Sequence, residues 1–250
     1  MSFAHSFRSL FLGATLTLST FAFFDVSLFA APPETIRKAE EAEPTGDEIL
    51  AMVRMSRALQ QFKSLTGKLR NDDKDGREYP LELTMTDNVI RFLFTNPNEV
   101  INLDVKDTGT KLRRVVNGAN TEIPSALYGE SIRGTAINYE DVSMRFLYWP
   151  NAKIIGEDTV TYMKCWIVRV VNPDGRGPYS TVDVWIHKES GAVAQMYAYD
   201  DKGRKMKVFT VRKGQKFQGA YILKQMRIES YNVETNKING RTYLEINDPK

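Results

Sequence analysis

Few residues in this 250-residue chain could perform acid–base or nucleophilic chemistry. The chain has two histidines, His5 and His187, and His187 lies just before the turn-like run 188–191. A zinc site built from several histidines and an HExxH helix are therefore excluded. A Ser-His-Asp arrangement around His187 stays open, but no GxSxG motif is present to position its serine. We interpret His187 as an exposed residue at the end of a strand.

Adjacent carboxylates could supply an acid and a base or bind a cation, and they occur at Asp72-Asp73, Glu140-Asp141, Glu157-Asp158 and Asp200-Asp201. Each pair falls at a predicted turn or helix start, where Asp commonly forms local hydrogen bonds. The run 72–76 resembles a calcium loop but lacks the final glutamate of an EF-hand. No helix follows Gly175-Arg176-Gly177 to bind a phosphate. We predict a protein that is not an enzyme and that uses no metal and no cofactor.

The composition excludes two further classes. The formal net charge is +3, with 34 basic and 31 acidic residues, so nucleic acid is not an expected partner. Cys165 is the only cysteine, so no intramolecular disulfide can form and stability must come from a packed core. We interpret Cys165 as a small buried apolar residue of a strand.

The amino-terminal residues are typical of a secretory signal peptide. Residues 10–24 carry no charge, and Ala30 and Ala31 precede a polar stretch that opens with two prolines. We predict a signal peptide over residues 1–31 and a flexible leader over 32–45. An uncleaved anchor is the alternative, although Asp25 leaves fewer apolar residues than the roughly 20 that span a bilayer.

The first regular element is predicted to be a helix over about residues 46–62. Thr45 and Glu48 have the spacing of a capping box, which marks the start of a helix. Apolar residues then recur with helical spacing at Ile49, Met52, Val53, Leu59 and Phe62. This stripe is wide enough for the helix to lie on a sheet.

After the helix, the apolar residues alternate with a period of two, which predicts strands with one apolar face. Short turns separate these strands, so neighbours are antiparallel. A loop is predicted over residues 118–136, then a short helix capped by Asn138 that ends before Pro150. Further strands follow from Lys153 onward. We predict one mainly β domain over residues 46–250, with ten or eleven strands and a few covering helices.

A sheet of this size that curls into a barrel needs covering helices or a ligand inside it. An apolar cavity would bind an acyl chain at about 0.8 kcal/mol per buried methylene. Strand parity and the second helix suggest these residues for the cavity wall: Leu81, Leu83, Met85, Ile90, Phe92, Phe94, Ile101, Leu103, Val105, Phe146 and Trp149.

The second half of the chain resembles a known family. The stretches 139–146, 155–158, 184–191 and 199–204 are similar to those of outer-membrane lipoprotein-sorting proteins, the relatives of periplasmic Lol carriers. The resemblance extends over about residues 125–248, and His187 stands where family members commonly have Asp. It implies an unclosed antiparallel barrel with helices on its concave side.

The resemblance also implies a periplasmic carrier that shields lipoprotein acyl chains or another lipid-like ligand in transit to the outer membrane. Its partners would be an inner-membrane transporter and an outer-membrane acceptor. The alternative is a non-catalytic module that docks a membrane transporter or an assembly complex of the envelope.

We predict that the mature amino terminus lies between about Ser27 and Glu34, because the apolar run ends there. Intact-mass measurement of periplasmic material would show the cleaved chain. Recovery at full precursor mass, and only in the membrane fraction, would instead indicate an anchor.

Overall fold

The computed structural model describes residues 43–55, 64–217 and 220–248. Its two α-helices are α1 (Gly46–Met55) and α2 (Tyr139–Ser143), and two 3₁₀ helices span Ser125–Leu127 and Arg145–Tyr148. The strands are β1 (Ser64–Asn71), β2 (Glu78–Thr86), β3 (Val89–Phe94), β4 (Glu99–Lys106), β5 (Gly109–Val116), β6 (Ala119–Glu122), β7 (Lys153–Val160), β8 (Met163–Val171), β9 (Thr181–His187), β10 (Val193–Tyr199), β11 (Lys205–Phe217), β12 (Ala220–Asn232) and β13 (Lys237–Ile246).

All 13 strands form one antiparallel sheet in the order β6-β5-β4-β3-β2-β1-β13-β12-β11-β10-β9-β8-β7. The chain begins at the middle of the sheet and runs as a meander to the β6 edge. It then crosses to the β7 edge and meanders back until β13 pairs with β1. The two edges do not pair in this order, so the predicted unclosed antiparallel barrel is confirmed.

The sheet is strongly curved. The 3₁₀ helix Arg145–Tyr148 is only four residues long, yet it contacts both β5 and β8, which lie ten positions apart in the sheet. In a flat sheet those two strands would be roughly 48 Å apart, at about 4.8 Å per strand. The apolar face must therefore be concave and must wrap around the segment that crosses it.

The central hairpins pair in a regular register. Leu83 lies opposite Phe92, and Phe92 lies opposite Ile101 on its other side. Met85, Ile90 and Leu103 form the next row across the same three strands. These pairs share one face, because a strand that alternates with a period of two directs every second side chain to the same side.

The structure has more strands than the ten or eleven predicted. The additional ones are polar: β1 contains Gly67 and three charged or amide side chains, β5 buries only Leu112, and all four residues of β6 are exposed. β6 also corrects the predicted loop at 118–136. Edge strands and strands interrupted by glycine show little apolar alternation, so the sequence pattern does not reveal them.

Helix α1 begins as predicted. The Glu48 carboxylate accepts hydrogen bonds from Thr45 N at 2.7 Å and Thr45 Oγ1 at 2.8 Å, which confirms the capping box. Ile49, Leu50 and Val53 are buried against the sheet, whereas Met52 is exposed. The rest of the predicted helix, at 56–62, lies outside the described residues, as do the predicted signal peptide and most of the leader. No helix in the described ranges is long and apolar enough to span a bilayer.

Residues 123–152, which we call the crossover segment, connect the two edge strands. The predicted second helix is divided here into α2 and the 3₁₀ helix Arg145–Tyr148, because Met144 adopts a left-handed conformation with φ of 49°. The predicted cap is confirmed: Asn138 Oδ1 accepts a hydrogen bond from Asp141 N at 3.0 Å. The crossover segment also contacts α1, since Asp47 Oδ1 accepts a hydrogen bond from Ala152 N at 3.0 Å.

Gly67 allows β1 and β13 to approach closely. A Cβ at this position would overlap the backbone carbonyl oxygen of Glu245. We predict that Gly67→Ala lowers the free energy of unfolding by about 1–3 kcal/mol, because the two backbones must move apart. Urea unfolding would measure this loss. Gly156→Ala is the matched control: it lies in a strand, and its added Cβ would meet only Ile167 Cδ1 at 3.8 Å. Equal stability of the two variants would contradict the prediction.

Candidate ligand-binding face

The eleven residues suggested for the cavity wall lie in one continuous apolar cluster. Most of them are buried: Leu81, Ile90, Phe94, Ile101, Leu103, Phe146 and Trp149. The others are partly buried and pack against the cluster: Leu83, Met85, Phe92 and Val105. Nine of the eleven come from β2, β3 and β4 and form the wall of the sheet, whereas Phe146 and Trp149 belong to the crossover segment that covers it.

The partly buried members indicate where the cover is thinnest. Met85 and Val105 are the second-to-last residues of β2 and β4, and both strands end at the same end of the sheet. Leu83 and Phe92 lie opposite each other, in the row that follows that of Met85. The apolar face is therefore most accessible toward that end.

The apolar face extends beyond the residues that the sequence suggested. Strands β8 to β12 contribute further buried side chains to the same cluster: Val168, Val170, Val182, Val184, Ile186, Met196, Ala198, Phe209 and Ile228. The alternation of Val182, Val184 and Ile186 is visible in the sequence and would have identified this half. A smaller cluster around Trp185 contains Cys165, which is buried as predicted, and burial raises the pKa of its thiol.

One carboxylate holds the crossover segment on the sheet. Asp141 Oδ2 forms an ion pair with Lys207 Nζ of β11 at 2.6 Å, and the two side chains are 3% and 7% exposed. Its other oxygen accepts a hydrogen bond from the Tyr179 hydroxyl at 2.6 Å. Asn138 N donates to Asp141 Oδ2 at 2.8 Å. Burial, followed by the nearby Asp141 carboxylate, raises the pKa of Tyr179 well above its usual value.

A second buried ion pair lies beside the first. Glu140 is fully buried, and its Oε1 accepts a hydrogen bond from Arg145 Nε at 2.7 Å. Burial raises the pKa of Glu140, and the Arg145 guanidinium opposes this effect. The guanidinium also donates to the carbonyl of Arg176, which ties the segment to the β8–β9 loop. A side chain at Gly177 would overlap both partners, so only glycine fits there.

The crossover segment is also tied to the middle of the sheet. Thr242 Oγ1 donates to Asn71 Oδ1 and accepts a hydrogen bond from Ala136 N, both at 2.8 Å. A cavity of about 550 Å³ lies beside these contacts, and its lining is mainly polar: Asn71, Asp72, Asp73, Gly134, Thr135, Ala136, Ser230, Ile238, Asn239, Gly240 and Arg241. It lies apart from the suggested wall residues and does not resemble a site for an acyl chain.

His187 has a local structural role. It is half-buried rather than exposed, which corrects the interpretation from sequence, and its Nδ1 lies 2.8 Å from Ser190 Oγ within the following turn. Within the described part of the chain, the hydrogen bonds of His187 include no carboxylate that could complete a triad.

Two of the candidate carboxylates likewise stabilise local structure. Asp200 binds Arg204 in its own turn at 2.7 Å, and Asp158 accepts a hydrogen bond from Trp185 Nε1 at 3.1 Å. These contacts assign both side chains to packing within the fold.

Comparison with known proteins agrees with this architecture. A family model described as an uncharacterized protein matches residues 118–250, which is more than half of the chain. The chain belongs to this family. The matched region includes the stretch on which the resemblance to lipoprotein-sorting proteins was based. A search of curated protein sequences gives no match.

Solved structures show the same fold. A putative outer membrane lipoprotein-sorting protein domain from Vibrio parahaemolyticus is 13% identical, with a TM-score of 0.65 over 81% of this chain and 90% of that one. A DUF1329 family protein from Desulfovibrio piger is 13% identical, with a TM-score of 0.64 over 81% of this chain and 90% of that one. A LolA superfamily protein from Nitrosomonas europaea is 14% identical, with a TM-score of 0.61 over 82% of this chain and 92% of that one. The resemblance to lipoprotein-sorting proteins is confirmed in the fold.

The Asp141–Lys207 pair should contribute strongly to the attachment of the crossover segment. We predict that Lys207→Met lowers the free energy of unfolding by about 3–5 kcal/mol, because it leaves a buried carboxylate without its cation. Urea unfolding measures the loss. In the double variant with Asp141→Asn, the loss should be smaller than the sum of the two single losses.

The matched control is Arg77→Met, which breaks the exposed Arg77–Asp75 pair and should change stability by less than about 1 kcal/mol. If Lys207→Met were as mild as this control, the buried pair would not hold the crossover segment.

Proposed function

We propose that the protein is a periplasmic carrier that shields a hydrophobic ligand, with lipoprotein acyl chains as the expected cargo in transit to the outer membrane. The observation that supports this most directly is the concave face itself. It is apolar across β2–β4 and β8–β12, and it is covered by separate short segments rather than by a second sheet.

An entering acyl chain would replace the contacts that hold the crossover segment on the apolar face. Burying an acyl chain of about fifteen methylenes gains roughly 12 kcal/mol before the entropy of binding is subtracted. Lifting the crossover segment would separate the buried Asp141–Lys207 ion pair and break the hydrogen bond from Arg145 to the Arg176 carbonyl. Once separated, these charges are hydrated by water, which offsets part of the lost attraction. The hydrophobic gain therefore opposes a cost that hydration reduces.

The suggested wall residues fit this exchange. Leu83, Met85, Phe92 and Val105 are only partly buried, and an entering chain would contact them first. Phe146 and Trp149 cover the wall in the present arrangement. They would move with the crossover segment and then pack against the ligand from the other side.

A docking module for a membrane transporter or an assembly complex is the second candidate. The dense packing of the concave face favours it, because seven of the eleven suggested residues are already buried without a ligand. Mass spectrometry of organic extracts from the purified protein separates the two candidates. Co-purified lipid supports the carrier, whereas a lipid-free extract together with a stable protein partner supports the docking module.

We predict that Phe92→Glu abolishes uptake of a fluorescent fatty-acid probe while the domain stays folded, since a carboxylate beside an acyl chain is strongly disfavoured. Phe92→Ala should cost less than the roughly 3–5 kcal/mol typical of a fully packed Phe, because Phe92 is only partly buried. Probe fluorescence and thermal melting measure both effects.

Arg91→Glu provides the control, because Arg91 is exposed on the opposite face of the same strand. It should change neither probe binding nor melting. Unfolding of Phe92→Glu, combined with no probe binding by the unmodified protein, would rule out a ligand site on this face.

A further inference from the structure

The basic residues are not distributed evenly along the chain, contrary to what the small net charge suggests. Residues 202–228 contain nine Lys or Arg and no Asp or Glu. The other 223 residues contain 25 basic and 31 acidic residues, a net charge of −6. The protein is thus strongly polarised, with its positive charge concentrated on β11 and β12.

Part of this basic region projects beyond the rest of the sheet. β11 pairs with β10 only up to Thr210, and β12 pairs with β13 only from Gln225 onward. Residues 211–217 therefore pair only with β12, and residues 220–224 pair only with β11; we call these two stretches the hairpin arm. Arg212, Lys213 and Lys216 are exposed on the arm.

Most other cations of the region already have carboxylate partners. Lys207 is paired with Asp141, Arg204 with Asp200, and Lys224 with Asp248. By contrast, no ion pair in the described ranges involves Arg212, Lys213 or Lys216. These three cations are available to an external anion.

An exposed aromatic side chain lies at the same end of the sheet. Antiparallel pairing places the end of β11 on the same side as the turn between β7 and β8. Tyr162 at the tip of that turn is 97% exposed. Thr161 and Tyr162 have φ values of 47° and 70°, in the left-handed region that β-branched and aromatic residues rarely adopt. Such strain persists where the surrounding structure maintains it, and here the flanking Val160 is buried.

We propose that this end of the sheet docks on an anionic phospholipid surface. Arg212, Lys213 and Lys216 would contact the phosphate groups, and Tyr162 would enter the interface, where tyrosine is favoured. Three unpaired cations on a projecting hairpin can reach a flat, mobile layer of anions without needing a shaped pocket. The remaining residues carry a net charge of −6, so attraction to an anionic surface comes from the basic region rather than from the molecule as a whole.

This docking surface is independent of whether the concave face holds a ligand. It would nevertheless suit a carrier, because Met85 and Val105, at the accessible part of the apolar face, lie at the same end of the sheet. A ligand leaving a membrane would then enter where the protein is docked.

Co-sedimentation with lipid vesicles tests the proposal. The purified full chain is mixed with phosphatidylcholine vesicles that either contain or lack phosphatidylglycerol. The difference between the two isolates the anionic contribution from any effect of the amino-terminal residues, which are identical in all variants. We expect binding to increase with phosphatidylglycerol and to weaken as salt is added, because ions screen exposed charges over about 8–10 Å.

The triple variant R212Q/K213Q/K216Q should bind anionic vesicles roughly a hundredfold more weakly, from about a fivefold loss per cation. Each single variant should bind about fivefold more weakly, which keeps the test valid if the triple variant does not fold. Tyr162→Ser should weaken binding without changing its dependence on salt.

The matched control is K74Q/K153Q/K237Q, which removes the same charge from three exposed lysines at the opposite end of the sheet. It should retain most of the binding. Equal losses in the two triple variants, or equal binding of the unmodified protein to neutral and anionic vesicles, would overturn the proposal.

Discussion

The pairing of β1 with β13 is the contact on which the rest of the molecule depends. It joins the first and last strands of the described fold and connects two meanders that would otherwise be separate sheets. The absence of a side chain at Gly67 permits this close approach. Because the contact links residues about 180 positions apart in sequence, the full sheet can form only after nearly the whole chain is available. The crossover segment contacts β5 in one meander and β8 in the other, so it is enclosed only when the two meanders are joined.

The crossover segment is attached by a combination of apolar and charged contacts. A buried ion pair is a poor source of stability, since apolar residues of similar volume often stabilise a protein more. Such a pair does define one arrangement, because Asp141 must meet Lys207, Tyr179 and Asn138 together. A cover attached in this way fits in one position when closed, yet its charges are readily hydrated when it is lifted. This behaviour suits the exchange of cover and ligand that we propose for the concave face.

Sequence patterns predicted the parts of the fold that alternate clearly. The shared face of Leu83, Phe92 and Ile101 followed from period-two spacing, whereas their pairing in one row comes from the structure. The polar strands β1, β5 and β6 did not, because they show little apolar alternation: β5 buries only Leu112, and all four residues of β6 are exposed. Lys207 illustrates the limit: its side chain is buried only because Asp141, 66 residues earlier, reaches it across the sheet. The acid-free run at 202–228 is visible in the sequence, but only the strand register shows that part of it projects.

The unpaired edges β6 and β7 give the sheet a freedom that a closed barrel lacks. In a closed barrel, strand number and stagger fix the interior diameter, and widening it requires breaking ladder hydrogen bonds. Here every ladder can stay intact while small changes in twist, shared among twelve strand junctions, move the two edges apart or together. The enclosed volume is therefore adjustable, and the same hydrogen-bonded ladders can enclose molecules of different thickness.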